Sequence, residues 1–227
     1  RQARGVVLTE DGKRLLPLSK KALAEIDHVG MLFSNPLSGC IRVGIPDDYN
    51  ETILQSALAQ FCKQHGDVEV MVQSGCSAGF PDAIRKNELD IAVYSAESIS
   101  EKDAFFSEPD VWVASSELIL KPEDPVPLAI FDRDCWWRDV PINALDGIGK
   151  SWRIAYSSEN FTGVKAAIRA GLAVGVLARS VVDDSMMILG KKEGFPKLPA
   201  SSLKLLRSRE VSPEIVLEME KAILGAI

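Results

Sequence analysis

Apolar and polar residues alternate along the chain in short segments that predict strands and helices in turn. A β-branched alternating segment at residues 40–46 is followed by helical spacing over 51–64 and by a second strand at 68–72. A short helix at 81–87 and a strand at 89–94 complete a β-α-β-α-β run. This order predicts a parallel sheet flanked by helices.

The alternation restarts after a proline-rich connector at residues 121–127, which follows a strand at 111–114. The later elements are strands at 128–131, 153–156, 174–177 and 203–206, helices at 136–145 and 162–170, and a last helix that begins near Ser212 and Pro213. Two such runs predict an α/β fold with two Rossmann-like lobes and a cleft between them. Ligands of such sheets bind at the carboxyl ends of the strands, so the cleft is the expected binding site.

A single apolar stripe runs along the segment that precedes the first strand. Thr9 suits the N-cap position of a helix, and two acids follow it at the positive helix end. Apolar residues then recur every three or four positions, at Leu15, Leu18, Ala22, Ile26, Val29 and Phe33. The pattern predicts a helix over residues 9–35 whose stripe is covered by a second subunit, as in a coiled coil. The alternative is that the stripe packs on the rest of the chain.

Charge is distributed unevenly along the chain. Residues 1–21 hold six Lys or Arg against Glu10 and Asp11, a net +4, whereas the whole chain is −6, which leaves −10 for residues 22–227. A basic end on an acidic body favours contact with a polyanion. The chain opens on Arg1 and not on Met, from which we expect it to be a piece of a longer protein.

Composition excludes several classes of protein. No apolar run approaches the roughly 20 residues that span a bilayer, so no membrane association is expected. The four cysteines are widely spaced, and Cys40 and Cys62 are predicted to be buried, a usage typical of a reducing cytoplasm. With only two histidines and no clustered Cys/His spacing, we expect neither a metal nor a cofactor.

Two motifs of catalytic type fail on their context. Residues 75–79, Gly-Cys-Ser-Ala-Gly, match a nucleophile elbow, but no histidine follows His65 to complete a triad. Gly149 and Lys150 resemble part of a phosphate-binding loop, yet a helix precedes them and a strand follows, the reverse of the order that phosphate binding needs. They are better interpreted as a helix stop. The sequence therefore predicts that the protein is not an enzyme.

Several segments, taken in order, resemble the LysR-type transcriptional regulators. Residues 4–17 are similar to the family's wing strand and the start of its linker helix, and residues 38–45 to the strand that opens its regulatory domain. Residues 89–93 (Leu-Asp-Ile-Ala-Val) and 166–180 match further recurrent segments. The resemblance covers nearly the whole chain, and the order and spacing of the segments make it specific.

The resemblance implies a cytoplasmic, DNA-binding transcriptional regulator that senses a small effector in the cleft of a domain like the type II periplasmic binding proteins. Residues 1–8 would be the remnant of a winged helix-turn-helix domain, 9–35 the linker and dimerisation helix, 39–114 with 207–227 the first regulatory lobe, and 115–206 the second. The DNA-reading helices would precede Arg1. The implied partners are operator DNA through that missing N-terminal domain, a second copy in a homodimer or homotetramer, and RNA polymerase as a further candidate.

The predicted strand ends supply the candidate effector-binding residues. Small hydroxyl side chains and N–H groups at helix starts suit a carboxylate or another polar group, whereas two adjacent acids disfavour a strongly anionic ligand beside them. The candidates are Pro46, Asp47, Asp48, Tyr49, Ser74, Gly75, Cys76, Ser77, Ser95, Ala96, Asp132, Cys135, Trp136, Ser157, Ser158, Asn160 and Phe161.

Other candidates serve DNA binding and redox sensing. Arg1 and Arg4 on the wing, with Thr9 at the helix start, are expected to lie near DNA phosphates. Cys76 and Cys135 fall at cleft-side strand ends, so one alternative is a redox-sensing regulator of the same family. Another alternative is a solute-binding protein of a transporter. The segment before the first strand (residues 1–35), which we call the stem, disfavours this alternative, because a transport receptor needs no basic helical segment there.

Overall fold

The computed structural model describes residues 8–16, 18–19, 22, 37–96, 99–100, 102–132, 136–208 and 213–226. The first helix, α1, is seen over residues 10–16. The Thr9 hydroxyl accepts a hydrogen bond from the Gly12 N–H at 3.1 Å, which confirms the predicted N-cap. Leu15 and Leu18 of the predicted stripe are 61% and 65% exposed, so the body of the chain does not cover them.

The first α/β run folds as the alternation predicts. Its elements are β1 (Gly39–Pro46), α2 (Asn50–Ile53), a π-helical turn (Leu54–Leu58), α3 (Ala59–Gln64), β2 (Val68–Gly75), a 3₁₀ turn (Ser77–Gly79), α4 (Phe80–Arg85) and β3 (Ile91–Ala96). β1 lies between β2 and β3 and is parallel to both. The helix predicted over 51–64 is present, although the π-helical turn interrupts it.

The second run supplies the remaining strands and helices. They are β4 (Phe106–Ser115), β5 (Val126–Phe131), α5 (Trp136–Asp146), β6 (Trp152–Ser158), α6 (Phe161–Arg169), β7 (Gly175–Ala178), β8 (Met186–Leu189), β9 (Ala200–Arg207) and α7 (Pro213–Leu224). Two 3₁₀ turns, Arg179–Val181 and Lys191–Glu193, flank β8. The alternation did not predict β8, and it predicted only four of the ten residues of β4.

The strand β4 connects the lobes. The larger sheet has the order β2-β1-β3-β9-β4-β7, with β8 also paired to β4, while β5 and β6 form a parallel pair. The first part of β4, Phe106–Pro109, pairs with β9, whereas Asp110–Val113 pairs with β7. β4 therefore changes partners between Pro109 and Asp110. The residue bounds of the two lobes stay a prediction.

Each lobe has its own apolar core. In the first lobe, Ile41, Val43 and Phe61 are fully buried and pack with α7 through Met219 and Ile223. The second lobe has two apolar clusters, one on each face of its strands. Trp137 packs against the cores of both lobes, so its ring lies where they meet. Burial of apolar area on this scale is the main stabilising term of the fold.

The prediction that Cys40 and Cys62 are buried is wrong, because both are exposed. Phe61 occupies the core-facing position of α3, and the next residue on a helix is rotated by about 100° away from it. The predicted helix stop after α5 is confirmed: Gly149 has a φ of +68° and the Lys150 N–H donates to the Leu145 carbonyl at 3.0 Å.

Candidate functional site

A small pocket lies between the two lobes, at the carboxyl ends of β1, β2, β3 and β5. We call it the cleft pocket. Its wall is formed by Pro46, Asp47, Asp48, Gly75, Cys76, Ser77, Ser95, Phe131, Trp136, Trp137 and Phe161. Strand ends and helix starts build this wall, which is the place where α/β sheets bind ligands.

The structure brings many of the sequence-predicted residues into that wall. These nine are Pro46, Asp47, Asp48, Gly75, Cys76, Ser77, Ser95, Trp136 and Phe161. They come from segments far apart in sequence, and only the parallel β-α-β connections place their strand ends side by side. Their role in binding an effector stays a prediction.

Other candidates lie outside the wall, for identifiable reasons. Tyr49 is buried in the core of the first lobe. Asn160 is the N-cap of α6, where its Oδ1 accepts the Gly163 N–H at 2.8 Å. The exposed Asp132 lies 3.7 Å from the Arg138 guanidinium. Ser74, Ala96, Ser157 and Ser158 are likewise not part of the wall, and Cys135 lies outside the described residues.

Two aromatic residues of the wall did not follow from the sequence. Phe131 ends β5, and its side chain is 6% exposed. Trp137 follows Trp136 on α5, and neighbouring residues of a helix point about 100° apart. Both indole rings nevertheless reach the pocket, with ring centroids 5.2 Å apart and planes inclined by 53°.

Two hydrogen bonds between described residues cross the cleft. Asp47, in the loop after β1, accepts the Phe161 N–H of α6 through Oδ2 at 3.0 Å. Trp136 of α5 donates its Nε1–H to the Ser95 carbonyl of β3 at 3.3 Å. Each bond joins an element of the first run to an element of the second. Together they hold the lobes close on either side of the pocket.

Two serines of the wall, Ser77 and Ser95, are held in place by hydrogen bonds to each other. Ser77 Oγ donates to the Ser95 carbonyl at 2.9 Å and accepts the Ser95 N–H at 3.2 Å. The carbonyl of Ser95 therefore accepts from both Ser77 and Trp136. Ser95 is 4% exposed, and its own hydroxyl has no hydrogen-bond partner among the described residues.

The described charged residues of the cleft lie partly in the pocket wall and partly in a wider cleft outside it. Asp47 and Asp48 are the ionisable carboxylates of the pocket wall, and no Lys or Arg among the described residues joins them there. Lys165 and Arg169 line a wider outer cleft, where Asp183 pairs with both, at 3.3 Å from Lys165 Nζ. Ser185 and these cations lower the pKa of Asp183.

A group of buried acids lies at the crossover of β4. Asp110 contacts the Ser201 hydroxyl at 2.8 and 2.9 Å, and Glu108 accepts the Ser180 N–H and hydroxyl at 2.7 and 2.8 Å. Burial raises the pKa of Asp110 to about 8, and the nearby charges of Asp48 and Glu108 add to the shift. Burial also raises the pKa of Tyr49, which faces the same acids.

The remaining candidates are only partly described. Thr9 caps α1, while Arg1 and Arg4 lie outside the described residues. Within the described ranges, no three metal-ligating side chains form a group, and no helix is long and apolar enough to cross a bilayer.

Comparison with known proteins decides the family. The model of the LysR substrate binding domain matches residues 34–219. This chain belongs to the LysR family of transcriptional regulators. It is 32% identical to the HTH-type transcriptional regulator DgdR of Burkholderia cepacia over 92% of the chain and 72% of that protein. It is 26% identical to the HTH-type transcriptional regulator PecT of Dickeya dadantii over 100% of the chain and 71% of that protein.

Solved structures of LysR-family regulators share the fold. The regulatory domain of HypT from Salmonella typhimurium superposes with a TM-score of 0.66 at 11% identity, over 85% of this chain and 97% of that one. A full-length variant of OxyR from Pseudomonas aeruginosa gives 0.62 at 16% identity, over 98% of this chain and 83% of that one. The α/β fold with two lobes of the type II periplasmic-binding kind is thereby confirmed.

Proposed function

We propose that this LysR-type domain binds a small effector in the cleft pocket and converts occupancy into a change in the angle between its lobes. The observation that carries the proposal is the composition of the wall: both runs of elements contribute to it, and two hydrogen bonds span it. A ligand that enters here contacts both lobes, so its binding energy depends on their separation.

The coupling to transcription follows from that dependence. A ligand between Asp47 and the start of α6 competes with the Asp47–Phe161 bond and so shifts the population of lobe arrangements. In this proposal the shift is passed to operator DNA in a homodimer or homotetramer, in the cytoplasm, with RNA polymerase as a further partner. The relatives DgdR and PecT are transcriptional regulators. This supports a regulatory role for the cleft and not a role in transport or catalysis.

A pair of glycines allows a clean test. A Cβ at Gly75, which belongs to the wall, would meet no atom within 4 Å, and the same holds at Gly79, which lies outside the wall. Gly75→Leu should therefore put a branched side chain into the pocket, starting from a Cβ that meets no neighbour, and Gly79→Leu should leave the pocket open.

The measurement is native mass spectrometry of each purified protein after incubation with the dialysable fraction of a bacterial lysate. We expect the unmodified chain and Gly79→Leu to gain the same small-molecule mass and Gly75→Leu to gain none. Equal uptake by Gly75→Leu would place the effector elsewhere and overturn the proposal.

Redox sensing is a second candidate function, which the position of Cys76 favours. Its side chain is half-buried in the pocket wall, where oxidation to a sulfenic acid would change the polarity of the cleft. Under this alternative, peroxide changes the DNA affinity of the regulator, and Cys76→Ser removes the response. A Cys76→Ser protein that still responds to peroxide would exclude Cys76 as the sensor.

A further inference from the structure

A basic surface lies at the end of the second lobe that is remote from the cleft pocket. The strand β5 runs from Val126, which lines this surface, to Phe131, which lines the pocket, so the two sites lie at opposite ends of one strand. We call this surface the basic patch. It is lined by six basic side chains, which are Lys121, Lys150, Arg153, Lys191, Lys192 and Lys197.

Cations outnumber anions in the basic patch. Its two exposed acids are Asp124 and Glu193, and Glu193 already accepts the Gly190 N–H at 2.8 Å. A third acid, Asp110, is buried, and burial raises its pKa to about 8, so it carries no charge at neutral pH. In the described part of the chain, none of the six basic side chains lies within 4.0 Å of a carboxylate oxygen. Residues 22–227 sum to −10, so this positive charge is a local feature of an acidic body.

A well-bonded turn forms the centre of the patch. The 3₁₀ turn Lys191–Glu193 lies between two grooves, and its two lysines are exposed. Lys150 donates to the Gly194 carbonyl at 3.2 Å, and its ammonium lies 4.5 Å from the centroid of the Phe195 ring. The Phe195 N–H donates to the Gly190 carbonyl at 3.0 Å. These contacts fix the turn before a partner arrives, which lowers the entropy cost of binding.

The grooves on both sides of the turn have apolar walls. One is lined by Leu172, which is 56% exposed, and by prolines of the connector at residues 121–127. The other is lined by Ile148, which is 51% exposed, and by the buried Phe195 and Leu198. Nucleic-acid phosphates are contacted by cationic and polar side chains, so exposed aliphatic residues beside the lysines favour a protein partner. Recessed walls of this kind accept single side chains, which a flat lipid surface does not offer.

We infer that the basic patch docks an acidic segment of a second protein, with carboxylates against the turn Lys191–Glu193 and apolar side chains in the two grooves. Charge complementarity supports this occupant, because the six cations have no carboxylate partner among the described residues and an acidic segment supplies several. Its apolar side chains would cover Leu172 and Ile148, which are otherwise left in water. The inference does not depend on the proposed function, since the cleft pocket lies at the other end of β5.

The test uses three fluorescein-labelled peptides of about 14 residues, roughly four helical turns, added to the purified chain. The first combines leucine and glutamate in amphipathic order, the second has lysine in place of glutamate, and the third has serine in place of leucine. Fluorescence anisotropy measures their dissociation constants. We expect the leucine–glutamate peptide to bind at least about tenfold more tightly than the other two, and added salt to weaken it.

Charge reversal at the turn locates the binding site. Lys191→Glu with Lys192→Glu should weaken the leucine–glutamate peptide at least about tenfold, because it places two carboxylates where the peptide needs cations. Lys63→Glu with Lys86→Glu is the matched control, since both lysines are exposed, belong to the first run of elements, and change the net charge by the same amount. It should leave the affinity within about twofold of the unmodified chain. All four positions are exposed, so both double variants should stay folded.

Selective loss of the leucine–glutamate peptide in Lys191→Glu with Lys192→Glu supports the inference. No binding of that peptide, equal binding of the serine–glutamate peptide, or equal affinities of the two double variants overturns it. Double-stranded DNA and vesicles of anionic lipid are tested in the same way. Tighter binding of either one than of the peptide, abolished by Lys191→Glu with Lys192→Glu, would also overturn it, because the patch would then be a nucleic-acid or a lipid surface.

Discussion

Asp110 lies where β4 leaves one set of partner strands for another, and burial keeps its carboxyl neutral. The side chain is 5% exposed, contacts the Ser201 hydroxyl, and faces Asp48, Glu108 and Tyr49. Its pKa of about 8 lies far above the ordinary 3.8. A folded protein at neutral pH therefore holds a proton here that the unfolded chain releases.

This proton makes stability depend on pH in a defined direction. Between about pH 4 and pH 8 only the folded state binds it, so the free energy of unfolding falls as pH rises through that window and levels off above it. Asp110→Asn carries no such proton and should flatten the dependence, raising the melting temperature by a few degrees at pH 8 relative to the unmodified chain. Thermal melts from pH 5 to pH 9 test this, with Asp82→Asn as control. An unchanged slope in Asp110→Asn would contradict the expectation.

The limits of sequence-based prediction are clear at the residue scale. The strand-end rule identified Asp47, Gly75 and Ser95, since the carboxyl ends of parallel strands meet at one edge. It could not identify Trp137, whose ring direction depends on how α5 packs between the two cores. Nor could it separate Asn160, which binds its own helix terminus, from residues that face the pocket.

At the scale of elements, β1 packs so closely against its neighbours that one position accepts no side chain. A Cβ at Gly44 would lie 2.9 Å from the Ala92 Cβ and 2.7 Å from the Leu89 Cδ1. The Ala92 Cβ is fixed to the backbone of β3, so the strands themselves would have to shift. This contact sets the distance between β1 and the layer that contains α4.

Gly44→Ala should therefore destabilise the first lobe by about 1–3 kcal/mol, the usual cost of overpacking a core. Chemical denaturation measures the change directly. Gly79→Ala is the matched control, because its added methyl would meet nothing within 4 Å and should alter stability by less than about 0.5 kcal/mol. Equal stabilities of the two variants would show that the strands relax without cost.

Acceptors from both lobes bind the free N–H groups at the start of α6. Its Gly163 N–H is bound by Asn160 of the same lobe, and its Phe161 N–H by Asp47 from across the cleft. Asp47→Ala should therefore speed hydrogen exchange of the Phe161 amide about tenfold, while Asn160→Ala should do so for Gly163. Amide exchange followed by NMR reads both positions in each variant. Unchanged Phe161 exchange in Asp47→Ala would mean that the cleft is not held by this bond.

At the scale of the whole molecule, the alternation of strands and helices was sufficient to predict two α/β lobes, because local periodicity specifies the order of elements. It could not predict β8 or the length of β4. Those residues are placed by pairing between distant segments, as when Trp112 pairs with Leu189. The crossing of β4 between partner strands is likewise invisible in a local pattern, although it links the lobes.

Leu15 and Leu18 of the predicted stripe are apolar side chains that one copy of the chain leaves uncovered. Leu15 and Leu18 lie on one face, as spacing of three predicts, and both are largely exposed. Burying two leucines against a second helix contributes roughly 1.5–3 kcal/mol for each side chain. The same burial in both copies contributes about 6–12 kcal/mol in total, which offsets much of the entropy cost of association.

The double variant Leu15→Glu with Leu18→Glu should accordingly convert a dimer into a monomer. Size-exclusion chromatography with light scattering measures the mass of each species. Ile119→Glu changes a residue that is 84% exposed and lies outside the stem, so it should leave the mass unchanged. A double variant that remains dimeric would show that the dimer contact lies in the regulatory lobes and not in the stem.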